Sequence, residues 1–240
     1  MDARRRVEMI ILKENIFAAS GERKPLQRVN WCQRRQNMKN SFLSSTDSFN
    51  KFGFDYFDND SNGLAYSGYR YDSRYGPVAR KIKHAFNLSV GCKILEIGCA
   101  KGYLLKEMYD IGLTVAGIDI SDYAVANSHP AIKSFLLAGD FSMPNISARY
   151  QDSSMDLIIS KEVLPHMTLD QIHATISEIK RISRSQSSIL LQIQVAESSD
   201  AKDKILYFDP THITLEAKNY WIDLLASHSY EGLVHFKELF

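Results

Sequence analysis

The segment Ile94-Leu95-Glu96-Ile97-Gly98-Cys99-Ala100-Lys101-Gly102-Tyr103-Leu104-Leu105 decides the fold. Its opening residues form an apolar run of strand length, Gly98 interrupts it, and an apolar helical pattern begins after Gly102. A buried strand that turns at glycine into a helix directs backbone N–H groups and a helix N-terminus into the crevice above the strand end. That place suits a ligand bearing a carboxylate or phosphate. Spacing narrows the choice. A dinucleotide fingerprint starting at Gly98 requires glycine at 100 and 103, where this chain has Ala100 and Tyr103. A tyrosine at the third position obstructs the close helix packing that a pyrophosphate site uses.

Outward from this segment, strand-like and helix-like runs alternate, which predicts a doubly wound, mostly parallel α/β sheet with helices on both faces. The strands are expected at 93–97, 114–119, 135–138, 155–160, 188–195 and 233–238. Helices are expected near 102–111, 121–128, 168–183 and 214–228, with Ser121 and Thr168 as N-caps. A further helix starts at Pro77, with Val78, Ile82, Ala85 and Phe86 on one face. Residues 196–213 read as a polar connection after the fifth of these strands.

The order of the motifs resembles that of the class I S-adenosylmethionine-dependent methyltransferases. Glu96, Gly98 and Gly102 fit their acidic-x-G-x-x-x-G motif, and Val115-Ala116-Gly117-Ile118-Asp119 resembles the second strand with its ribose-binding acid. Ala138-Gly139-Asp140-Phe141 resembles the third strand and adenine site. Met155–Ser160 followed by Glu162-Val163-Leu164-Pro165-His166 resembles the fourth strand and its loop. The match covers roughly residues 75–195 and is most similar to the broad small-molecule group called methyltransferase type 11.

The resemblance implies a Rossmann-like methyltransferase fold and S-adenosylmethionine as cofactor. It implies that Gly98, Cys99 and Gly102 cradle the methionine part, with Glu96 ordering the loop. Asp119 would accept from the two ribose hydroxyls, Ile120 would pack on adenine, Asp140 would accept from its amine, and Phe141 would face the ring. The family ordinarily adds a seventh, antiparallel strand, for which this sequence shows no candidate after 233–238. A catalytically inactive partner protein of the same fold is the alternative reading.

Methyl transfer from a sulfonium needs donor and acceptor held close and aligned, so binding groups matter more than any one catalyst. Two histidines are nonetheless candidate bases, because imidazole titrates near neutrality. His166 follows the fourth strand, and His212 stands in Asp209-Pro210-Thr211-His212 after the fifth. No metal-ligand spacing is evident. The expected substrate is a small-molecule acceptor, methylated at oxygen or nitrogen, with a sugar or nucleotide-linked sugar as first candidate.

Composition sets the remaining bounds. The 240 residues are 45% hydrophobic and carry a formal net charge of +1, enough for one sizeable α/β domain. Charge is uneven: residues 1–40 hold ten Lys/Arg against four Asp/Glu, and the other 200 hold nineteen against twenty-four. The acidic body disfavours nucleic acid as a partner. Cys32, Cys92 and Cys99 lack metal spacing and read as reduced thiols, consistent with a cytoplasmic protein. No apolar run reaches a membrane span. Residues 1–40 read as a basic N-terminal tail, either disordered or an over-extended start, and residues 1–37 as dispensable for folding. Residues 41–76 read as an aromatic-rich arm or lid, and 77–240 as the methyltransferase domain. The oligomeric state is left open.

Overall fold

The structure is a computed structural model and describes residues 9–18, 51–60, 65–66 and 68–239. Its centre is β2 (Lys93–Ile97), where four consecutive buried residues follow an exposed lysine. A run buried on both sides is the mark of an interior parallel strand. The partners are β3 (Thr114–Asp119) and β5 (Leu157–Lys161), in the registers Ile94 to Val115 and Ile94 to Leu157. Outward on one side lies β4 (Leu136–Ala138), and on the other β6 (Ile189–Val195) and β7 (Leu233–Glu238). With β1 (Ile10–Ile11) at the outer edge, the seven-stranded order is β1-β7-β6-β5-β2-β3-β4, and all described pairings are parallel. This is the doubly wound Rossmann-like sheet that the alternating pattern predicts.

Helices cover the sheet where the sequence supplies apolar faces. Helix α2 (Gly76–Ala85) buries Val78 and Ile82 but leaves Ala85 exposed, so the apolar face is narrower than expected. Helices α3 (Tyr103–Asp110), α4 (Asp122–Ala126) and α6 (Leu169–Ile182) follow β2, β3 and β5. Ser121 accepts from the Ala124 N–H, and Thr168 forms a capping box with Gln171, so both predicted caps are present. Two four-residue helices, α1 (Phe54–Phe57) and α5 (Pro144–Ser147), and the C-terminal α8 (Lys218–Ser227) complete this set. The stretch read as a polar connection instead contains α7 (Ser199–Phe208), capped by Ser198. Its buried residues, Ala201 and Ile205, lie four apart on one face, a pattern too sparse for sequence periodicity to register.

The outer edge corrects another expectation. No antiparallel strand joins the sheet among the described residues; the place beside β7 is taken by β1 (Ile10–Ile11), whose neighbour Leu12 donates to the Val234 carbonyl at 2.8 Å. Asn15 Oδ1 accepts from Gln192 Nε2 at 2.9 Å, and Phe17 is buried in one cluster with Val78, Ile82 and Leu190. Residues 9–18, within the stretch read as a basic tail, therefore pack on the domain. They cap an open sheet edge and fill the core, which their high surrounding charge hides from a compositional reading. Residues 1–8, 19–40 and 41–50 of the tail and arm lie outside the described residues.

Phe17→Ala is expected to lower stability by about 3 kcal/mol through lost burial and cavity formation. For a chain of this size that is roughly 6–12 °C in melting temperature. Thermal unfolding with an unchanged midpoint would restore the view of this segment as dispensable.

Candidate active site

The carboxyl ends of β2, β3, β4 and β5 open into one cavity of about 740 Å³, at the point where chain order reverses between β2 and β5. Gly98, Asp119, Ile120, Asp140, Phe141 and His166 all line it. Glu96 and Cys99 line a smaller adjoining space of about 320 Å³, which Gly98 shares. Six of the ten predicted site residues thus meet in one cavity and two more lie next to it. Gly102 and His212 line neither.

The glycine loop is built by backbone necessity. Gly98 has φ +71°, and a Cβ there would lie 2.1 Å from Val163 Cγ2, so any side chain both strains the turn and fills the cavity wall. Gly102 has the same φ, but its missing Cβ makes room for Ile132 at 2.3 Å. It starts α3 and admits a neighbouring side chain, and it lines neither space. The loop amides also differ from expectation. Gly98 and Cys99 donate to the Ile118 carbonyl, Ala100 to Asp119 Oδ2 and Gly102 to the Cys99 carbonyl. Buried N–H groups must be satisfied, and here β3 satisfies three and the loop's own Cys99 carbonyl the fourth, so these four do not form an open anion cradle.

Asp119 explains this closure. Its Oδ2 accepts from Ala100 N at 2.6 Å and its Oδ1 from Ser121 N at 2.9 Å, tying the glycine loop to the start of α4. Burial pushes its carboxyl up to about 6, against the lowering by these two amides. Each oxygen retains a further acceptor site, and the residue lines the cavity. Glu96 is more deeply enclosed: burial drives its carboxyl up to about 8, with Asp119 adding to the rise and Lys161 opposing it. Its Oε2 is buried without a hydrogen-bond partner among the described residues. Asp140 is more committed, accepting at Oδ1 from the Ser142 N–H and hydroxyl and at Oδ2 from Gln171 Nε2.

Several wall residues were not among the expected site residues. Lys161 ends β5 and approaches Glu162 at 3.3 Å, and Glu162 in turn pairs with Lys237 at 2.8 Å. A lysine closing an otherwise apolar strand is the one sequence sign that marked it. Val163, Met167 and Gln171 reach the cavity only because the loop after β5 folds back over it. From the aromatic arm, Phe52, Tyr56, Phe57 and Tyr66 close another wall. The arm is held by Asp58, which accepts from Lys101 Nζ at 2.5 Å and from the Tyr123 hydroxyl at 2.6 Å.

The two histidines separate in role. His166 faces the cavity, with the Phe52 ring edge-on at 6.0 Å. His212 stands behind it: the ring centroids are 4.1 Å apart, its side chain is only 3% exposed, and its Nδ1 donates to the Asp209 carbonyl. The turn after α7 draws the His212 ring into the protein, so it does not reach an acceptor. Of the two candidate bases, His166 is the one that lines the cavity. His166, Asp209 and His212 converge within 4.8 Å, a grouping that their distance in sequence conceals. Both Nδ1 atoms and both Asp209 carboxylate oxygens are already in hydrogen bonds, so the cluster is a hydrogen-bonded network.

Residues 95–191 match the model of a family described as "Methyltransferase domain". No curated protein matches the chain in sequence. Among solved structures, a SAM-dependent methyltransferase from Archaeoglobus fulgidus is 18% identical with a TM-score of 0.51, covering 64% of this chain and 67% of its own. The YcgJ protein from Bacillus subtilis is 14% identical with a TM-score of 0.50, covering 62% and 66%. At these identities the structures speak for the fold, and the chain spans about two thirds of their length. No helix among the described residues is long and apolar enough to cross a membrane. The family match starts at the second residue of the diagnostic segment and ends within β6, over the part of the parallel sheet that carries Gly98, Asp119, Asp140 and His166. Residues 95–191 thus match a methyltransferase domain, and they lie on a fold shared with S-adenosylmethionine-dependent methyltransferases.

Proposed function

We propose that this enzyme methylates an oxygen or nitrogen atom of a small molecule, with a sugar or nucleotide-linked sugar as the first acceptor to test. The observation that carries the reading is that His166 shares one cavity with Asp119, Ile120 and Asp140 and with the arm's Phe52, Tyr56 and Tyr66. The cavity's aromatic wall supports an acceptor with an apolar ring face.

The residues fit the cofactor. Asp119 keeps an acceptor site on each oxygen for the two ribose hydroxyls, and Ile120 and Phe141 offer apolar surface for adenine. Glu96, whose buried Oε2 has no partner among the described residues, lines the adjoining space with Gly98 and can accept a hydrogen bond from the amino-acid end. Bound there, S-adenosylmethionine supplies an electrophilic methyl group, so that a bond to the acceptor forms as the carbon–sulfur bond breaks and its electron pair stays on sulfur. The protein's part is to align the acceptor, exclude water with the aromatic arm and receive a proton at His166.

S-adenosylhomocysteine is expected to raise the melting temperature, since a ligand binding only the folded state at 100 times its Kd adds about 2.7 kcal/mol. NADH is expected to leave it unchanged. A shift with NADH and none with the sulfur compound would overturn the cofactor assignment. Incubation with methyl-labelled S-adenosylmethionine and separate panels of sugars, nucleotide sugars, amines and RNA then tests the acceptor. Label confined to RNA would reject the small-molecule reading.

A further inference from the structure

We propose that Asp209, acting through the Thr211 hydroxyl, holds His166 in its Nδ1–H tautomer, so that Nε2 is the atom that accepts the proton of a hydroxyl-bearing acceptor. The inference rests on the methyl-transfer reading for its purpose, but its geometry stands alone. Thr211 Oγ1 lies 2.5 Å from Asp209 Oδ1 and 2.9 Å from His166 Nδ1. A hydroxyl has one proton. The carboxylate only accepts, so Thr211 spends that proton on Asp209 and must accept from His166. Nδ1 therefore carries the imidazole hydrogen, and Nε2 presents a lone pair.

The second half of the arrangement concerns Nε2. Asp209 Oδ2 lies 4.0 Å from it, too far for a hydrogen bond but close enough to favour a positive ring. That same Oδ2 accepts from the Tyr56 hydroxyl at 2.9 Å, which fixes the carboxylate from the side of the arm. One carboxylate thus braces both nitrogens of the ring, through Thr211 at Nδ1 and by charge at Nε2. The other titratable groups facing His166 are His212, stacked at 4.1 Å, and Glu162 at the end of β5. His212 holds its own Nδ1–H on the Asp209 carbonyl, so it supplies no competing donor to Thr211.

Burial works against a charged His166, outweighing the pull of Asp209, and holds its titration below the ordinary histidine range. Burial also opposes the charge on Asp209, but the two histidines and the Thr211 bonds more than offset it, keeping the carboxylate ionised. A neutral ring beside an ionised carboxylate is what a base needs before the reaction. As the acceptor oxygen gains its methyl group, its proton passes to Nε2, and the new imidazolium is balanced by Asp209. Thr211 and Asp209 are positioning residues here, because neither lines the cavity. Such a base matters most for a hydroxyl, which must lose its proton on methylation.

The test is long-range ¹H–¹⁵N correlation of the imidazoles in the full chain near pH 7.5, with and without S-adenosylhomocysteine. The expected result is Nδ1–H at His166 in the wild type, loss of that form in Thr211→Val, and its return in Thr211→Ser. An Nε2–H ring in the wild type would overturn the proposal without any variant, as would an unchanged tautomer in a folded Thr211→Val. So would a stoichiometric divalent metal in the purified protein whose removal by chelation changes the His166 signals. The spectra are read without cofactor as well. Failure of S-adenosylhomocysteine to bind would therefore count against the methyl-transfer reading and leave the tautomer result separate.

Discussion

Replacing Asp119 with alanine is expected to weaken S-adenosylhomocysteine binding at least tenfold, measured by calorimetry. Hydrogen bonds to a charged acceptor contribute about 1.5–3 kcal/mol each, and two ribose hydroxyls would lose their partner together. A second loss compounds the first. The Ala100 and Ser121 amides that now donate to Asp119 would be left unsatisfied in the interior, so the glycine loop would loosen and the melting temperature fall. Calorimetry must therefore be run well below that midpoint, with circular dichroism confirming the fold. Burial holds the Asp119 carboxyl at about 6, so wild-type affinity should decline as pH drops through that value and the carboxylate gains its proton. The variant should show no such component. Equal affinity in both proteins would mean that the ribose lies elsewhere.

Glu162→Gln should be the most destabilising polar substitution in the cavity wall, by about 3 kcal/mol at pH 7. Burial disfavours the Glu162 charge, but Lys161 and Lys237 overcome it and hold the carboxyl down at about 2. The glutamine would also leave buried Lys161 without its 3.3 Å partner. Because the folded-state value lies below the ordinary 4.5, this stabilisation is fully present above about 4.5 and is lost as pH falls toward 2. Denaturant unfolding of both proteins across pH 3–7 checks the sign: the gap should be widest at neutral pH and close on acidification. A constant gap would show that the side chain's shape, not its charge, supports the loop. Glu162 also sits at φ +59°, a left-handed conformation that this paired anchoring helps to hold.

Local chemistry in the sequence determined the core of this protein without help from distant residues. Strand β2 with its glycine turn, the caps at Ser121 and Thr168, and the acidic ends of β3 and β4 all follow from neighbours within a few positions. An apolar run must be buried, a glycine is demanded where φ is positive, and a carboxylate at a strand end faces the crevice. The family resemblance, rather than these rules, singled out Asp119, Ile120, Asp140, Phe141 and His166, which line one cavity together with Gly98.

What the tertiary structure alone decided involves residues far apart in the chain. Ile10 and Phe17 belong to the sheet edge and core because residues more than 200 positions away leave a strand edge open, and no local pattern reports that vacancy. Three amides of the glycine loop turn away from a ligand because β3 offers acceptors for them. Two histidines with equal intrinsic chemistry take different parts because the turn after α7 buries one ring behind the other. Loop direction and burial settle which imidazole meets the cavity, since both arise from long-range packing and neither is encoded in the spacing around either histidine.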